Sequence, residues 1–300
     1  MSGIRRDLNP ADQATFGYLA AIVLLSIIFY YRVPLWWAIW IGHSVAIALI
    51  FLIAEISRPL AANPAPSLLY FVRSWYPVVL VPLIYKELEY LIPRLHPRDY
   101  DRELAAIDHA IFGAHLTIWL ERVTHPALTE IFQLSYITYY FLPVILGAVL
   151  WRRREFDRFQ FLLFVVVLGF YLSYLGYIAV PAIGPRFLLA DQQTFPLKGL
   201  LFFDFIRTTL DRAEGITRDC FPSGHTALTL LVLYYSYRFH RLTFWALLVP
   251  GSLLIISTVY LRYHYVIDVF AGALLALAVI AAAKPLYRAL GDHRSKGVRE

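Results

Sequence analysis

Apolar residues gather along this chain in long runs instead of alternating with polar ones, and the length of those runs sets the expected architecture. Crossing roughly 30 Å of hydrocarbon takes about 20 helical residues. Eight stretches approach that length: Phe16–Tyr31, Leu35–Ile56, Ser74–Ile92, Leu128–Leu150, Phe159–Val180, Pro222–Arg238, Thr243–Leu261 and Tyr265–Tyr287. The first and sixth are the shortest. Turns rich in proline, glycine or arginine separate them, at Arg58-Pro59, Arg152-Arg153-Arg154 and Pro181 to Pro185. The pattern predicts an all-α, polytopic membrane helical bundle of about eight spans.

Two connections are longer than turns. Between Pro93 and Ala127, Leu104, Ile107, Ile111 and Ile118 recur at near-helical spacing opposite charged positions, which predicts a helix lying in the membrane interface. The other, Pro181 to Phe221, is polar enough to be aqueous. No internal repeat or low-complexity tract interrupts the chain.

Composition narrows the class. Of 300 residues, 59% are hydrophobic and 16% charged, where soluble domains run nearer half and a quarter. That excludes a soluble globular domain. The net charge of +6 is carried by arginines in short loops, not on one basic face, so nucleic acid is not an expected partner; anionic lipid is. Cys220 is the lone cysteine, which excludes an intrachain disulfide and a cysteine-rich metal site. The first apolar run lacks a nearby cleavage signal, so an anchor is expected at the N-terminus and not a removed signal peptide.

Basic residues also give a topology. With the N-terminus cytoplasmic, Arg5, Arg6, Arg58, Arg73, Arg152, Arg153, Arg154, Arg158, Arg238, Arg241, Lys284, Arg288, Arg294, Lys296 and Arg299 lie inside, fifteen against eleven outside, and Lys86 lies within a span. This places the Pro181–Phe221 connection and the starts of the sixth and eighth spans together on the non-cytoplasmic face.

Two motifs stand at those starts. His264 and Asp268 are four residues apart, hence expected on one helix face, where the carboxylate fixes the imidazole as nucleophile or base. A satisfied polar pair inside a bundle is the competing reading, although ionisable residues inside membranes usually serve function. In Pro222-Ser223-Gly224-His225 the proline suits a first helical turn. Ser223, Gly224 and His225 would then present unpaired N–H groups to an anion. An ordinary capped helix start competes with that.

Together, Pro222-Ser223-Gly224-His225 and His264-x-x-x-Asp268 resemble the second and third signature motifs of the phosphatidic acid phosphatase type 2 superfamily. Ile107-Asp108, Phe112-Gly113 and the run Pro181 to Arg186 resemble its branch containing fungal inositol phosphorylceramide synthase. The resemblance covers roughly the last two hundred residues. It implies a six-helix catalytic core within 74–300, with residues 1–73 as anchor spans that have no counterpart in that core. It further implies in-line attack on phosphorus by His264 to form a phosphohistidine, with Asp268 holding His264. His225 would protonate the leaving oxygen and then activate water or an alcohol, with no metal or other cofactor.

The chain departs from the family pattern twice. Thr258 follows Ser257 where the third motif has arginine; Arg262, one turn on if the helix continues, could reach the same phosphate. The lysine of the first motif is replaced by Ala179, which leaves Arg186 as the expected phosphate clamp, with Lys86 or Arg218 as further candidates beside Ser223 and Gly224. Glu87 and Glu89 would pair with Lys86 at the site's edge, Asp219 would cap a helix or touch phosphate, and His43 would serve helix packing. The expected activity is hydrolysis of a lipid phosphomonoester or diphosphate. A phosphotransferase using the same residues is the alternative, and a transporter or non-catalytic lipid-binding protein is the alternative of another class.

Overall fold

A computed structural model describes residues 8–57, 67–215 and 218–291. Arg5, Arg6, Arg58, Arg294, Lys296 and Arg299 of the charge count, and the Arg58-Pro59 turn, lie outside them. Among the described residues every regular element is a helix. Helices α1 (Pro10–Ile28) and α2 (Trp36–Ile56) form a hairpin, and α3 (Leu68–Trp75) runs into α4 (Pro77–Leu95). The first long connection holds α5 (Asp101–Phe112) and the short α6 (Leu116–Trp119). Next, α7 (Pro126–Ile137), continued by a 3-10 turn to Tyr140, meets α8 (Leu142–Arg152) at a 50° bend. After α9 (Phe156–Ala179), the second connection carries α10 (Pro185–Leu188) and α11 (Phe203–Glu214). The chain closes with α12 (Gly224–Phe239), α13 (Arg241–Tyr260) and α14 (Val266–Leu290).

All eight expected segments are helical over most of their length, in keeping with the expected polytopic helical bundle, and seven of them meet a spanning length and composition. Among the described residues, α1, α2, the α3–α4 unit, α9, α13 and α14 are each long and apolar enough to cross a bilayer, and the bent α7–α8 pair makes seven if it is one span. The exception is α12. Its 16 residues rise only about 24 Å at 1.5 Å each, short of the hydrocarbon thickness. It is instead enclosed by α9, α13 and α14, and residues on every side of it are buried, from His225 and Leu228 to Val232 and Tyr235. A helix apolar all round belongs inside a bundle. By contrast α14 exposes Phe270, Leu274 and Leu277 along one stripe, the surface an integral membrane protein offers to lipid.

Helix α5, expected at the membrane interface, is inverted relative to a soluble amphipathic helix. Its polar Asp101 and Asp108 are buried with Leu104 and Ala105, while Ile107 and Ile111 face outward. Both long connections and the starts of α12 and α14 converge at the same end of the bundle, joined by backbone bonds such as Arg186 N–H to Arg262 O (3.0 Å) and Cys220 N–H to Ala182 O (3.2 Å).

Ionic contacts bind the first two helices to the rest. Asp12, fully buried in the first turn of α1, accepts from Arg73 Nη1 (2.9 Å) and the Tyr76 hydroxyl (2.7 Å), with Arg73 Nη2 on its second oxygen. His43 of α2 contacts Glu87 Oε2 of α4 at 2.8 Å and the Leu19 carbonyl of α1 at 3.3 Å, the packing role expected of it. Lys86 pairs with Glu89 (3.0 Å), and Glu87 is the partner of His43. Removing one partner of a buried pair strands the other charge, at a cost of about 3–5 kcal/mol. Arg73→Ala is therefore expected to lower the unfolding free energy of detergent-solubilised protein by that amount. Thermal or denaturant unfolding beside the wild type checks it.

Candidate active site

The site grows out of the way two helices begin. At the start of α14 the first N–H groups lack intrahelical partners, and carboxylates supply them. Asp108 of α5 accepts from Val266 N–H (2.7 Å) and Ile267 N–H (2.8 Å), while Asp268 reaches back to Tyr265 N–H (2.7 Å). His264 consequently stands in the turn before α14 and not on its helical face, a correction to the expected i, i+4 geometry. Its backbone N–H, with that of Tyr263, is held by the Thr258 carbonyl at the end of α13 (3.0 and 2.9 Å).

At the start of α12, Ser223 is the cap: its hydroxyl accepts from Thr226 N–H (3.2 Å). Pro222 lies ahead of the helix instead of in its first turn. The Ser223 N–H donates to the Asp268 carbonyl (3.0 Å). The free amide expected of Ser223 is thus already paired. Close approach is possible because two neighbours lack side chains. A Cβ on Gly272 would sit 2.3 Å from the Ser223 carbonyl oxygen, and one on Gly176 would sit 2.3 Å from the Pro222 ring.

These two starts bring the histidines into contact, His264 Nε2 to His225 Nδ1 at 3.3 Å, with 3% and 7% of their surfaces exposed. His264 Nδ1 faces Asp268 Oδ2 at 3.4 Å. The tautomer that serves both contacts has His264 protonated on Nδ1, its Nε2 accepting from His225 Nδ1–H. His225 lies between the rings of Tyr136 and Tyr139, with centroids 4.6 and 4.2 Å away. Its Nε2 has no hydrogen-bond partner among the described residues.

Cys220 joins this group unannounced by the sequence. Its thiol donates to Asp268 Oδ2 at 2.9 Å, so that oxygen faces three donors. The Sγ, imidazole and carboxylate atoms lie within 4.8 Å of one another, close enough to ligate a metal ion. A metal binds the thiolate, however. Burial, with the Asp268 charge beside it, pushes the Cys220 thiol well above its usual range, which suits the hydrogen-bonded thiol.

Above the histidines opens a cleft of about 400 Å³ that three arginines, Arg186, Arg207 and Arg262, line together with Asp211 and Asp219. Arg186 stands where expected. It lies over the Tyr263 ring (5.2 Å) and pairs with half-exposed Asp211 (2.9 Å). Arg262 does not ride on α13, which ends at Tyr260; its φ of 67° is left-handed. That turn aims its guanidinium at Glu121 (2.8 Å), Gln193 (2.8 Å) and the Phe195 carbonyl (3.0 Å), a buried structural anchor at the cleft wall. Burial pulls its pKa down. Arg218 is engaged by Asp99 (2.7 and 3.2 Å) and does not line the cleft, and Lys86 stands only near its rim, beside Gly215.

Arg207 of α11 was not anticipated. Among the described residues it has no ion pair, and its guanidinium lies over the Phe203 ring (5.6 Å). Its connection carries no motif, so no sequence signal pointed to it. Asp101 and Asp108 did leave one, being seven residues apart and hence on one face of α5. Asp101 accepts from Ile183 N–H (2.8 Å), Gly184 N–H (2.7 Å) and the Tyr265 hydroxyl (3.0 Å), bracing the loop before Arg186 against the turn that holds His264. Burial pushes both carboxyls up, and the backbone donors pull them back.

Comparison with known proteins fits this geometry. A family model described as the PAP2 superfamily matches residues 102–282. A PA-phosphatase related-family protein of Dictyostelium discoideum is 27% identical over 164 residues, covering 48% of this chain and 30% of the relative. The match thus spans about a third of that relative's length. No solved structure matches.

The bare contact at Gly272 is testable by itself. Gly272→Ala must drive α14 away from a backbone oxygen that cannot yield, and overpacking of this kind costs about 1–3 kcal/mol. A lowered melting temperature in detergent is expected, whereas Gly42→Ala, with nothing within 4 Å of its Cβ, should melt as the wild type does.

Proposed function

The chain belongs to the PAP2 superfamily, and from that membership we propose that it is an integral-membrane lipid phosphatase working through a phosphohistidine. The observation that carries this reading is the contact of two buried imidazoles beneath a cleft lined by arginines. A phosphate entering the cleft meets Arg186 and Arg207, whose charges neutralise its equatorial oxygens. Arg207 takes the part expected of Arg262, because Arg262 is committed to Glu121.

Phosphorus then displaces the contact between the rings. With its proton held on Nδ1 toward Asp268, His264 uses the Nε2 lone pair to attack phosphorus in line. A P–N bond forms as the P–O bond to the lipid breaks, and the leaving oxygen takes the Nδ1 proton of His225, which enters this step as an imidazolium, having taken a second proton on Nε2 from the arriving phosphate monoanion, and leaves it neutral. His225, now a base, accepts a proton from water, whose oxygen attacks phosphorus and breaks the P–N bond. Inorganic phosphate and the lipid alcohol are released, and both histidines return to their first state. The cycle calls on no metal. The charge distribution along the chain supports an active site on the non-cytoplasmic face.

A second reading draws on the same residues. The cleft is larger than one phosphate needs, and Asp211, Asp219 and Tyr136 offer an alcohol hydrogen-bonding partners. Transfer to an alcohol in place of water, as the likeness to inositol phosphorylceramide synthase implies, would put the label of a lipid phosphate into a new lipid and not into free phosphate.

His264→Ala is expected to abolish phosphate release and the trapping of acid-labile radioactive phosphate on the denatured protein. His225→Ala should slow release about 10²–10⁴-fold with melting temperature maintained; wild-type turnover in either variant rejects the mechanism. The arginines should divide by position. Arg207→Ala and Arg186→Ala are each expected to cut kcat/KM at least tenfold, whereas Arg218→Ala, away from the cleft, leaves it within about twofold.

A further inference from the structure

His225 and Asp219 line two cavities at once. One is the polar cleft; the other, about 280 Å³, lies between α4, α8 and α9. Its wall on α9 is formed by Phe159, Leu162, Val166, Phe170, Tyr174 and Tyr177, a single helical face. Eighteen residues of α9 separate the first from the last, about 27 Å at 1.5 Å per residue, close to the thickness of the hydrocarbon itself. Val78, Val81 and Tyr85 of α4 form the facing wall, and Trp75 and Phe159 close on Gly147 at the far end. Asp219 is the one charged lining residue, and it sits at the junction, accepting from the Tyr85 hydroxyl (2.6 Å). Val78 and Tyr140 are exposed at the rim, so the cavity opens sideways toward lipid.

We infer that this cavity holds the hydrocarbon chain of the substrate whose phosphate occupies the cleft, and that the substrate is a lipid phosphate or diphosphate with one long chain. This rests on the lipid phosphatase reading and narrows it. The volume is narrow for its length, which leaves the width of one chain and not of two side by side. Because His225 and Asp219 line both cavities, a chain lying along α9 would bring its terminal phosphate to the imidazoles. A chain moving from bilayer to protein gains little hydrophobic energy, because both surroundings are apolar; the slot therefore acts on orientation and selection. Trp75 and α4 precede the residues 102–282 that the family model matches.

Two variants narrow the slot without touching the cleft: Val166→Trp, midway along α9, and Val144→Trp on α8. Purified wild type and variants of unchanged melting temperature are assayed with a long-chain alkyl phosphate, a short-chain alkyl phosphate and a two-chain phosphatidic acid. The wild type is expected to favour the long alkyl phosphate over phosphatidic acid at least tenfold in kcat/KM. Each tryptophan should cost at least tenfold on the long chain and leave the short one unchanged. Equal use of phosphatidic acid by the wild type, or tryptophan variants that handle the long chain normally, overturns the inference. Failure of the wild type on every phosphate, the short one included, would count against the hydrolytic reading. The slot is then judged by a long-chain alkyl phosphate with a diazirine at its far end: adducts on Trp75, Gly147 or Phe159 support it, and adducts confined to the lipid-facing Val79 and Leu83 overturn it.

Discussion

The bond from the Ser223 N–H to the Asp268 carbonyl makes one site of two stretches more than forty residues apart, because each end also carries an imidazole. The same aspartate turns its carboxylate to Tyr265 N–H, the Cys220 thiol and His264. A single residue thus sets the spacing of the helix starts and the orientation of one ring. Inside hydrocarbon a backbone group must find a partner within the protein. Each of these bonds therefore satisfies a helix end and positions a side chain together. Asp108 and Asp101 extend the arrangement to α5, so that helix braces the very turns that hold His264 and Arg186.

Much of the bundle was legible because lipid leaves a backbone few choices: an apolar run of spanning length becomes a helix. Where a helix starts is decided by local hydrogen bonds instead, and there the pattern misled. Ser223 caps α12 and shortens it, and Asp268 reaches back and leaves His264 outside α14. The two motifs still pointed to residues that the fold brings into contact, since a histidine beside a carboxylate in an apolar setting is conspicuous however its backbone runs. The cationic partners were harder to read. Arg262, Arg218 and Arg207 look alike in a sequence, and only the distant Glu121 and Asp99 mark the first two as engaged.

That division among arginines follows from charge burial. Arg262 is nearly enclosed, and a guanidinium in that position must be matched by a carboxylate and fixed acceptors; Glu121, Gln193 and Phe195 match it. The left-handed backbone at Arg262 is the local strain that goes with such a fixed turn. Arg186, whose carboxylate partner is half exposed, and Arg207, which has only a ring beneath it, remain available to an entering anion. On this view the wall arginine is neutralised from behind by Glu121, Arg186 shares the half-exposed Asp211, and Arg207 alone of the three has no ion pair among the described residues.

The meeting of cleft and slot at His225 also bears on how a reaction there would end. On the proposed reading, the two fragments made at that point belong to different phases. The ionic one is drawn out through the polar opening, and the oily one slips sideways between α4 and α8 into the leaflet. Neither has to wait for the other or retrace its path. Recombination is then opposed by partition alone, which gives turnover a direction that no conformational cycle needs to provide.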